Sequence, residues 1–481
     1  MTTKPNASRR EFLRAASMLS LAGSAGAPFA LNLATIGAAA AQTAPADYKA
    51  IICLFMAGGN DHVNTVLATD PTSWAEYQRL RTTSDTDSIA LPSVGAAGGV
   101  LPITPKTAQA GRSFALHPSL QPLKDVFDAN RVAIIANVGT LITPTTLVQY
   151  RARSVSLPPK LFSHNDQQSF WQSSLPEGAR SGWGGRMGDL MMASNSSPLF
   201  TTISLTGNTV FLAGLTVNQY QVSSAGAIPI NALTGSLFGS GAGANPLQAI
   251  VSADRTNLFE KDYATVTRRG IEAQMTFANA MVAAGPAGVP NPTQYTNPNS
   301  GQLATNPLAV QLQTIARTIA GRSVLGAKRQ IFFVNMGGFD THDGQRKSQG
   351  DLLARVAHAL AYFDGLMGNL QGVNLRNQVT LFTASDFGRT FTSNGDGTDH
   401  GWGSHHFVMG GAVKGKDIYG AFPVTGLKHD LDVGSGSLLP QTSVDQYGAT
   451  LASWFGLSAT QIADVFPAIG NFSNKNLGFM L

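Results

Sequence analysis

Acidic and imidazole side chains are concentrated between residues 329 and 411 of this chain. Asp340 and His342 follow one apolar run, and Asp386 follows a second apolar run. Five of the nine histidines lie in the same window. Because carboxylate oxygens and imidazole nitrogens are common protein ligands of divalent metals, this clustering predicts a metal site.

Further candidate ligands lie elsewhere along the chain. Asp61 follows an earlier apolar run, after two glycines that allow a sharp turn. His400 and His405 lie in a Gly-rich loop that could fold back over the same edge. If a strand begins at His406, then His405 and His406 point to opposite faces, so at most one of them binds metal. The predicted ligands are Asp61, Asp340, His342, Asp386, His400 and His405.

The alternative to a metal site is that these residues are solvated loop residues. An isolated histidine is more often a surface residue or a satisfied core residue than a ligand. That interpretation is favoured for four histidines, which are predicted to lie outside the site: His62, His117, His358 and His429.

The elements that must position these residues are three apolar, β-branched and aromatic runs, Ala50–Met56, Gln330–Met336 and Val379–Ala384. Runs of this length, separated by helical patterns, predict parallel strands that are buried on both faces. In open α/β sheets the ligand site lies just outside the carboxyl ends of such strands. The sequence therefore predicts an α/β fold with the candidate residues at one edge of the sheet.

The rest of the chain supplies further elements around these strands. A strand is predicted at Arg131–Val138 and β-like runs at Phe200–Leu205 and Thr209–Leu215. The polar composition from residue 196 to 306 predicts an insertion or cap beside the strand-bearing core. Helices are predicted at Pro71–Arg81, Ser119–Asn130, Asn257–Ala283, Leu308–Ile319, Leu352–Leu366 and Val444–Phe455.

The first 41 residues have the features of a twin-arginine signal peptide. Arg9 and Arg10 precede an apolar, small-residue stretch, Ala15–Ala41, with Gln42 as the predicted mature start. The alternative is an uncleaved anchor, since this stretch is long enough to span a bilayer. Its interior polar residues and Pro28 favour cleavage. The predicted location is therefore periplasmic or secreted, with the twin-arginine translocase as partner during export and no membrane contact afterwards.

Charge and cysteine usage narrow the possible partners. The formal charge is +5, and the leader, with four basic residues and one acidic residue, carries +3, which leaves about +2 (5 − 3) for the mature chain. No run of Lys or Arg is present to bind nucleic acid. The single cysteine, Cys53, lies in an apolar run and is interpreted as a buried structural thiol rather than a nucleophile.

Several longer motifs resemble the bacterial family called domain of unknown function 1501. The similarity extends over nearly the whole mature chain, residues 42–481. It rests on GGND (Gly58–Asp61), SHNDQQSFWQ (Ser163–Gln172), GWGGR (Gly182–Arg186), GGFDTHDGQ (Gly337–Gln345), SDFGRT (Ser385–Thr390) and GTDHGWGSHHFVMGGAVKG (Gly397–Gly415).

That family resembles the alkaline phosphatase-like superfamily of two-metal phosphatases and sulfatases. The resemblance implies a doubly wound, mostly parallel sheet flanked by helices, with a divalent metal, zinc, manganese or calcium, at the strand ends. It implies metal-ligand roles for Asp61, Asp340, His342 and Asp386, and for His400 or His405. Ser163 falls where the helix-capping nucleophile would be.

The chain departs from the superfamily pattern at Phe387, where a metal histidine is expected. Arg389 is a candidate anion clamp, since guanidinium matches phosphate or sulfate oxygens, and equally a candidate for a salt bridge. Two hypotheses follow. The first is an exported metal-dependent hydrolase of small anionic phosphate or sulfate esters, with Ser163 and Arg389 as catalytic residues. The second is a non-catalytic binding or assembly protein on a degenerate phosphatase-like scaffold.

Overall fold

The computed structural model describes residues 47–85, 87–229 and 246–481, so the predicted signal peptide lies outside the described residues. The strands of this part of the chain are β1 (Lys49–Met56), β2 (Val66–Ala68), β3 (Leu101–Ile103), β4 (Phe114–Leu116), β5 (Val132–Gly139), β6 (Thr202–Ser204), β7 (Tyr220–Ser223), β8 (Gly226–Ala227), β9 (Tyr295–Thr296), β10 (Leu303–Ala304), β11 (Arg329–Met336), β12 (Val379–Ser385), β13 (Arg389–Ser393), β14 (Thr398–His400), β15 (Ser404–Met409), β16 (Asp417–Tyr419) and β17 (Thr442–Ser443).

The helices of the same described ranges flank these strands. They are α1 (Pro71–Arg81), α2 (Gln121–Asp128), α3 (Leu147–Ala152), α4 (His164–Ser173), α5 (Trp183–Met191), α6 (Pro246–Val251), α7 (Leu258–Ala280), α8 (Pro307–Ala320), α9 (Gln345–Gly368), α10 (Val444–Phe455) and α11 (Ala459–Val465). None of the helices in the described part of the chain is long and apolar enough to cross a membrane.

A ten-stranded sheet forms the centre of the fold. Its order is β16-β5-β15-β12-β1-β11-β6-β7-β8, and β17 also pairs with β5. β1 lies between β11 and β12 and is parallel to both. β15 is antiparallel to its two neighbours, β12 and β5. The sheet is therefore mixed but mostly parallel, and the α/β prediction is confirmed.

Both faces of the sheet are covered, which explains why its central strands are apolar throughout. On β1, Ile52 and Leu54 pack into one core together with α8 and α9. Ile51 and Phe55 point to the other face and pack with α5 and α10. Burying one such side chain stabilises the fold by about 1.5–3 kcal/mol. Helices on both faces make the sheet doubly wound.

The predicted elements are largely present, with small differences at their ends. α1 and α10 have the predicted bounds, and each begins after a capping residue: Asp70 accepts from the Ser73 N–H, and Ser443 forms a capping box with Gln446. α9 begins at Gln345, two turns before the apolar pattern suggested. It starts directly after the loop that carries Asp340 and His342, so the helix and this loop are adjacent.

Residues 202–227, part of the segment predicted as an insertion or cap, contribute three strands to the central sheet. β6 pairs in parallel with β11, and β7 and β8 extend that edge. The β-like run Thr209–Leu215 forms no strand in the described structure. Its backbone is instead bound by side chains, since Gln172 accepts from the Phe211 N–H and Asp189 accepts from the Leu215 N–H.

Candidate metal centre

The carboxyl ends of the three central strands meet at one edge, where the candidate residues lie. Met56 at the end of β1 is level with Met336 on β11 and Ser385 on β12. The loop after β1 passes very close to the loop after β11, because a Cβ on Gly58 would lie 2.3 Å from the backbone nitrogen of Asp340. Gly58, at φ +119°, also donates its N–H to Asp386 Oδ1 at 3.0 Å.

Three imidazoles and one carboxylate converge at this edge. The metal-ligand atoms of His164, Asp340 and His400 all lie within 4.8 Å of one another. His164 Nε2 is 3.4 Å from Asp340 Oδ2, and His400 Nε2 is 3.3 Å from Asp340 Oδ1. His342 completes the group, with its Nε2 3.1 Å from Asp340 Oδ1 and 3.0 Å from His400 Nε2.

The outward ring nitrogen of each imidazole faces an oxygen atom. His164 Nδ1 is 2.6 Å from Asp386 Oδ2, and His400 Nδ1 is 2.8 Å from the Phe162 carbonyl. His342 Nδ1 lies 3.4 Å from Asp399 Oδ1. A carbonyl or a carboxylate only accepts, so in the neutral tautomer with its proton on Nδ1 each ring donates to that oxygen and presents an Nε2 lone pair to Asp340.

This proton arrangement is what a metal site requires. In that tautomer the Nε2 lone pairs of His342 and His400 face each other at 3.0 Å beside the Asp340 carboxylate. Without a proton or a cation between them, such lone pairs repel each other. Histidine ligands of metals characteristically donate their other nitrogen to a carboxylate or a backbone carbonyl, as Asp386 and Phe162 are positioned to accept here. The donor atoms of His164, Asp340 and His400, all within 4.8 Å of one another, therefore fit a single divalent metal, and His342 lies beside them.

Local structure explains how each ligand candidate is positioned. His164 is the first residue of α4, and Gln168, one turn later, donates to the same Asp386 oxygen at 2.8 Å. His400 is on β14, opposite Arg389 on β13. His342 lies in the loop after β11 and packs against Gly397. A Cβ on Gly397 would lie 2.1 Å from the His342 carbonyl oxygen, so position 397 accommodates only glycine.

Charge around Asp340 favours its ionised form. Arg389 is fully buried and donates to Asp340 Oδ1 at 2.7 Å, to Thr398 and to the Gly58 carbonyl. Burial alone would raise the pKa of Asp340, but the hydrogen bond and charge of Arg389 outweigh burial and lower it. The hydrogen bond to Asp386 raises the pKa of His164, whereas burial lowers that of His400.

Arg389 and Ser163, the predicted catalytic residues, have defined surroundings. Because the Arg389 guanidinium is buried and bonded to protein groups, it is positioned to hold Asp340 rather than to reach into solvent. Ser163 precedes His164 directly, and its hydroxyl donates to Asp166 Oδ2 at 2.9 Å. It stands at the N-terminal end of α4 but makes no side-chain capping hydrogen bond.

Asp61 stands at the end of β1, as predicted, but the structure pairs it with an arginine. Both of its oxygens accept from the Arg81 guanidinium, and the two side chains have no exposed surface. Gln345 Nε2 also donates to Asp61 at 2.6 Å. A guanidinium therefore neutralises this carboxylate, at the position where the resemblance implied a metal.

His405 and His406 lie on opposite faces of β15, as expected for neighbouring strand residues. His405 accepts from the Asn137 N–H at 3.0 Å, and its ring is 4.6 Å from that of Phe422. His406 packs against Trp171 at 4.8 Å. Burial lowers the pKa of His406 to about 3 and that of His405 well below its usual range. The structure thus places both among core residues.

The four histidines predicted to lie outside the site have other partners or surroundings. His117 accepts from the Ser119 N–H, His429 accepts from the Leu431 N–H, and His358 on α9 contacts Thr293 and Asn306. His62 is buried, and neither of its ring nitrogens has a hydrogen-bond partner. Burial lowers the pKa of His62 to about 3.

His164 is the residue that the sequence reasoning missed. It lies within the SHNDQQSFWQ motif, from which only Ser163 was selected as a site residue. The signal was present, because a histidine in the first turn of a helix with a glutamine four residues later presents both side chains on one face. Its partner, Asp386, was predicted as a ligand, and in the structure its Oδ2 binds His164 and its Oδ1 binds Gly58.

Phe387 closes one side of the group. Its ring is buried and lies 4.9 Å from the His164 ring and 4.6 Å from the His400 ring. A Cβ on Gly59 would lie 2.4 Å from the Phe387 ring, so glycine at this position leaves room for the aromatic side chain. The residue that replaces the expected histidine is thus an apolar wall of the site.

Comparison with known proteins gives one clear result. Residues 48–453 match the family described as "Protein of unknown function (DUF1501)". The chain belongs to the DUF1501 family. No curated protein matches this DUF1501 member significantly.

Similar solved structures are all distant from this DUF1501 member. A Bacteroides thetaiotaomicron protein, titled for the metabolism of multiple glycosaminoglycans, shares 10% identity over 87% of this chain and 75% of its own, with a TM-score of 0.35. A 2-O GAG sulfatase shares 10% sequence identity over 86% of this chain and 72% of its own, with a TM-score of 0.29. Alkaline phosphatase from the Antarctic bacterium TAB5 shares 8% sequence identity over 76% of this chain and 91% of its own, with a TM-score of 0.26. At these TM-scores the similarities assign no activity.

Proposed function

We propose that this DUF1501 member is an exported, metal-dependent hydrolase of phosphate or sulfate esters. The observation that carries the proposal is the convergence of three imidazole Nε2 atoms on the Asp340 carboxylate, with their outer nitrogens bound to oxygens. His164, His342, His400 and Asp340 would hold the metal. A donor set with three nitrogens favours zinc over manganese or calcium, which both prefer oxygen ligands.

A divalent metal at such a centre polarises an ester oxygen and lowers the pKa of a bound water. The chain's own groups supply the remaining functions. Arg389 keeps Asp340 ionised and in position. Asp386 fixes the orientation of His164. Ser163 is the proposed nucleophile: its Oγ bonds to the phosphorus or sulfur as the bond to the departing alcohol breaks, Asp166 accepts the hydroxyl proton, and water then hydrolyses the enzyme ester.

The test uses purified mature protein, loaded separately with zinc, manganese and calcium. Bound metal is measured by elemental analysis, and turnover is measured with aryl phosphate and aryl sulfate esters. We expect turnover that requires metal and that falls strongly in Ser163→Ala while metal content stays the same. Metal bound at one equivalent with no turnover of either ester would refute the hydrolase proposal and leave the metal site intact.

A second candidate function, a non-catalytic binding or assembly protein, is favoured by a separate observation. Asp61 is neutralised by Arg81, and Phe387 stands where the superfamily pattern has a metal histidine, so the group offers ligands for one metal rather than two. Protein that purifies folded and free of metal, and that stays inactive after metal is added, would favour this function over the hydrolase.

Export through the twin-arginine translocase is part of the proposal and rests on the leader sequence. Replacement of both Arg9 and Arg10 by Lys should leave precursor in the cytoplasm, whereas Arg14→Lys, outside the arginine pair, should be exported normally. Fractionation of cells followed by immunoblotting distinguishes the two outcomes. Equal export of both variants would refute the proposed route. The proposed partners of the mature protein are small anionic esters, with no role for nucleic acid.

A further inference from the structure

An open cleft of about 340 Å³ adjoins the candidate metal centre on the α4 side. Gln168 connects the two, since it lines the cleft and donates to Asp386, the partner of His164 on its Nδ1 side; none of the four metal-ligand candidates lines the cleft itself. Phe55 on β1 and Phe333 on β11 also line it, and both are buried. The volume is at the lower end of the range for small-molecule sites.

The walls of this cleft carry amide side chains, one carboxylate, Glu177, and no cation. Its lining includes Asn165, Gln168, Gln172, Asn208 and Asn335, and none of its lining residues is Lys or Arg. An anionic group therefore finds no partner in the cleft itself. The charged part of an ester would belong at the adjoining metal centre, and an uncharged, hydrogen-bonding part in the cleft.

Existing hydrogen bonds determine which amide atoms are free for a ligand. Gln168 uses its NH₂ group on Asp386, which leaves its carbonyl oxygen as an acceptor. Gln172 uses its oxygen on Thr209 and Phe211, which leaves its NH₂ group as a donor. The side chains of Asn165 and Asn335 are exposed and form no hydrogen bond within the described residues. The cleft thus offers both free donors and free acceptors.

We propose that this cleft binds the polyhydroxylated, uncharged part of the substrate, so that the ester is a sugar phosphate or sugar sulfate; this rests on the proposed function. A sugar hydroxyl both donates and accepts, which matches a wall of mixed amide groups. A nucleobase or another flat ring would require an exposed aromatic face for stacking. Phe55 and Phe333 offer none, since both are buried.

The first experiment measures binding without turnover, so that it does not depend on the hydrolase proposal. Saturation-transfer NMR detects binding of a panel of neutral methyl glycosides to the wild-type protein and to the double variant Asn165→Leu/Asn335→Leu. We expect binding by the wild type, weakened about fivefold or more in the variant, since each lost hydrogen bond weakens binding by about that factor. No binding of any glycoside by the wild type would overturn the inference.

The second experiment measures selectivity. The ratio of kcat/KM for sugar esters to kcat/KM for aryl esters should fall in the double variant. It should not change in Asn279→Leu, which alters an exposed asparagine on α7 outside the cleft. An unchanged ratio in the double variant would overturn the inference while the hydrolase proposal stands. Absence of all turnover would refute the hydrolase proposal, and the NMR measurement would still decide whether the cleft binds sugars.

Discussion

Asp61 and Asp340 follow adjacent parallel strands and each bonds a buried arginine, but their surroundings differ. The Asp61 side chain has no exposed surface and is bound by the equally buried Arg81, whereas 43% of the Asp340 side chain is exposed among three imidazoles. Both oxygens of the Asp61 carboxylate are bonded by the Arg81 guanidinium, so no oxygen is left for an external cation. The Asp340 carboxylate bonds the buried Arg389 through Oδ1, remains partly exposed beside the imidazoles, and is therefore available to a cation from outside.

This difference shows that a strand-end carboxylate is defined by the groups brought to it from other elements. Arg81 comes from the last turn of α1, and His164, His342 and His400 come from α4, the loop after β11 and β14. A buried carboxylate requires a partner, and either a guanidinium or a metal can satisfy it. In this protein we expect the Asp61 region to contribute stability and the Asp340 region to contribute metal binding.

The largest expected effect is on stability. Arg81→Met removes the partner of a fully buried carboxylate, so the free energy of unfolding should fall by about 3–5 kcal/mol. Urea-induced unfolding measures it. Arg79→Met, two residues earlier and on the surface, should leave stability nearly unchanged. An unfolding curve for Arg81→Met that superimposes on the wild-type curve would show that the Asp61–Arg81 ion pair does not stabilise the fold.

The next effect separates the two carboxylates by metal affinity. Asp340→Asn should weaken metal binding by more than the roughly 10–100-fold loss typical of an outer partner, because it removes charge directly from the ligand group. Asp61→Asn should retain one equivalent of metal wherever circular dichroism shows a folded protein. Titration calorimetry with zinc gives both affinities. Equal losses in the two folded variants would contradict the comparison.

A smaller change is expected at the outer partner of His164. Asp386→Asn keeps the size of the side chain but weakens its hydrogen bond to the His164 ring. Metal affinity should therefore fall about 10–100-fold. His358→Gln, on α9 and bonded to Thr293 and Asn306, should bind metal like the wild type. If Asp386→Asn abolishes binding as fully as Asp340→Asn, then Asp386 is itself a ligand, as first predicted from the sequence.

The last effect concerns the pH dependence of stability at His62, which follows Asp61 in the chain; this effect is gradual, about 1.4 kcal/mol for each pH unit. Burial lowers the pKa of His62 from 6.5 to about 3, so between these values the unfolded state binds a proton that the folded state does not. Stability therefore falls as pH decreases through this window, by about 1.4 kcal/mol per pH unit for one histidine. His62→Phe should reduce the slope of unfolding free energy against pH by about that amount. Identical slopes in urea titrations from pH 6 to pH 4 would exclude this role.

Much of the fold could be predicted from the sequence because it depends on local signals. Apolar runs such as Ala50–Met56 indicated parallel, doubly covered strands, and the Asp70 and Ser443 caps mark where α1 and α10 begin. The segment from residue 196 to 306 was harder to interpret. β6 has only three residues, and its place in the sheet depends on pairing with β11, more than 120 positions later in the chain.

The sequence by itself determined that acidic residues and histidines follow the central strands, and it placed Asp340, His342, Asp386 and His400 at one edge of the sheet. Only the tertiary structure decided which of them face one another. Arg81 lies 20 positions after Asp61 in the chain and forms an ion pair with it. His164 lies 103 positions after Asp61, and its Nε2 contacts Asp340 instead. The physical reason is that a carboxylate takes its role from the nearest positive or lone-pair group, and these neighbours come from helices whose packing depends on the whole core rather than on any short motif.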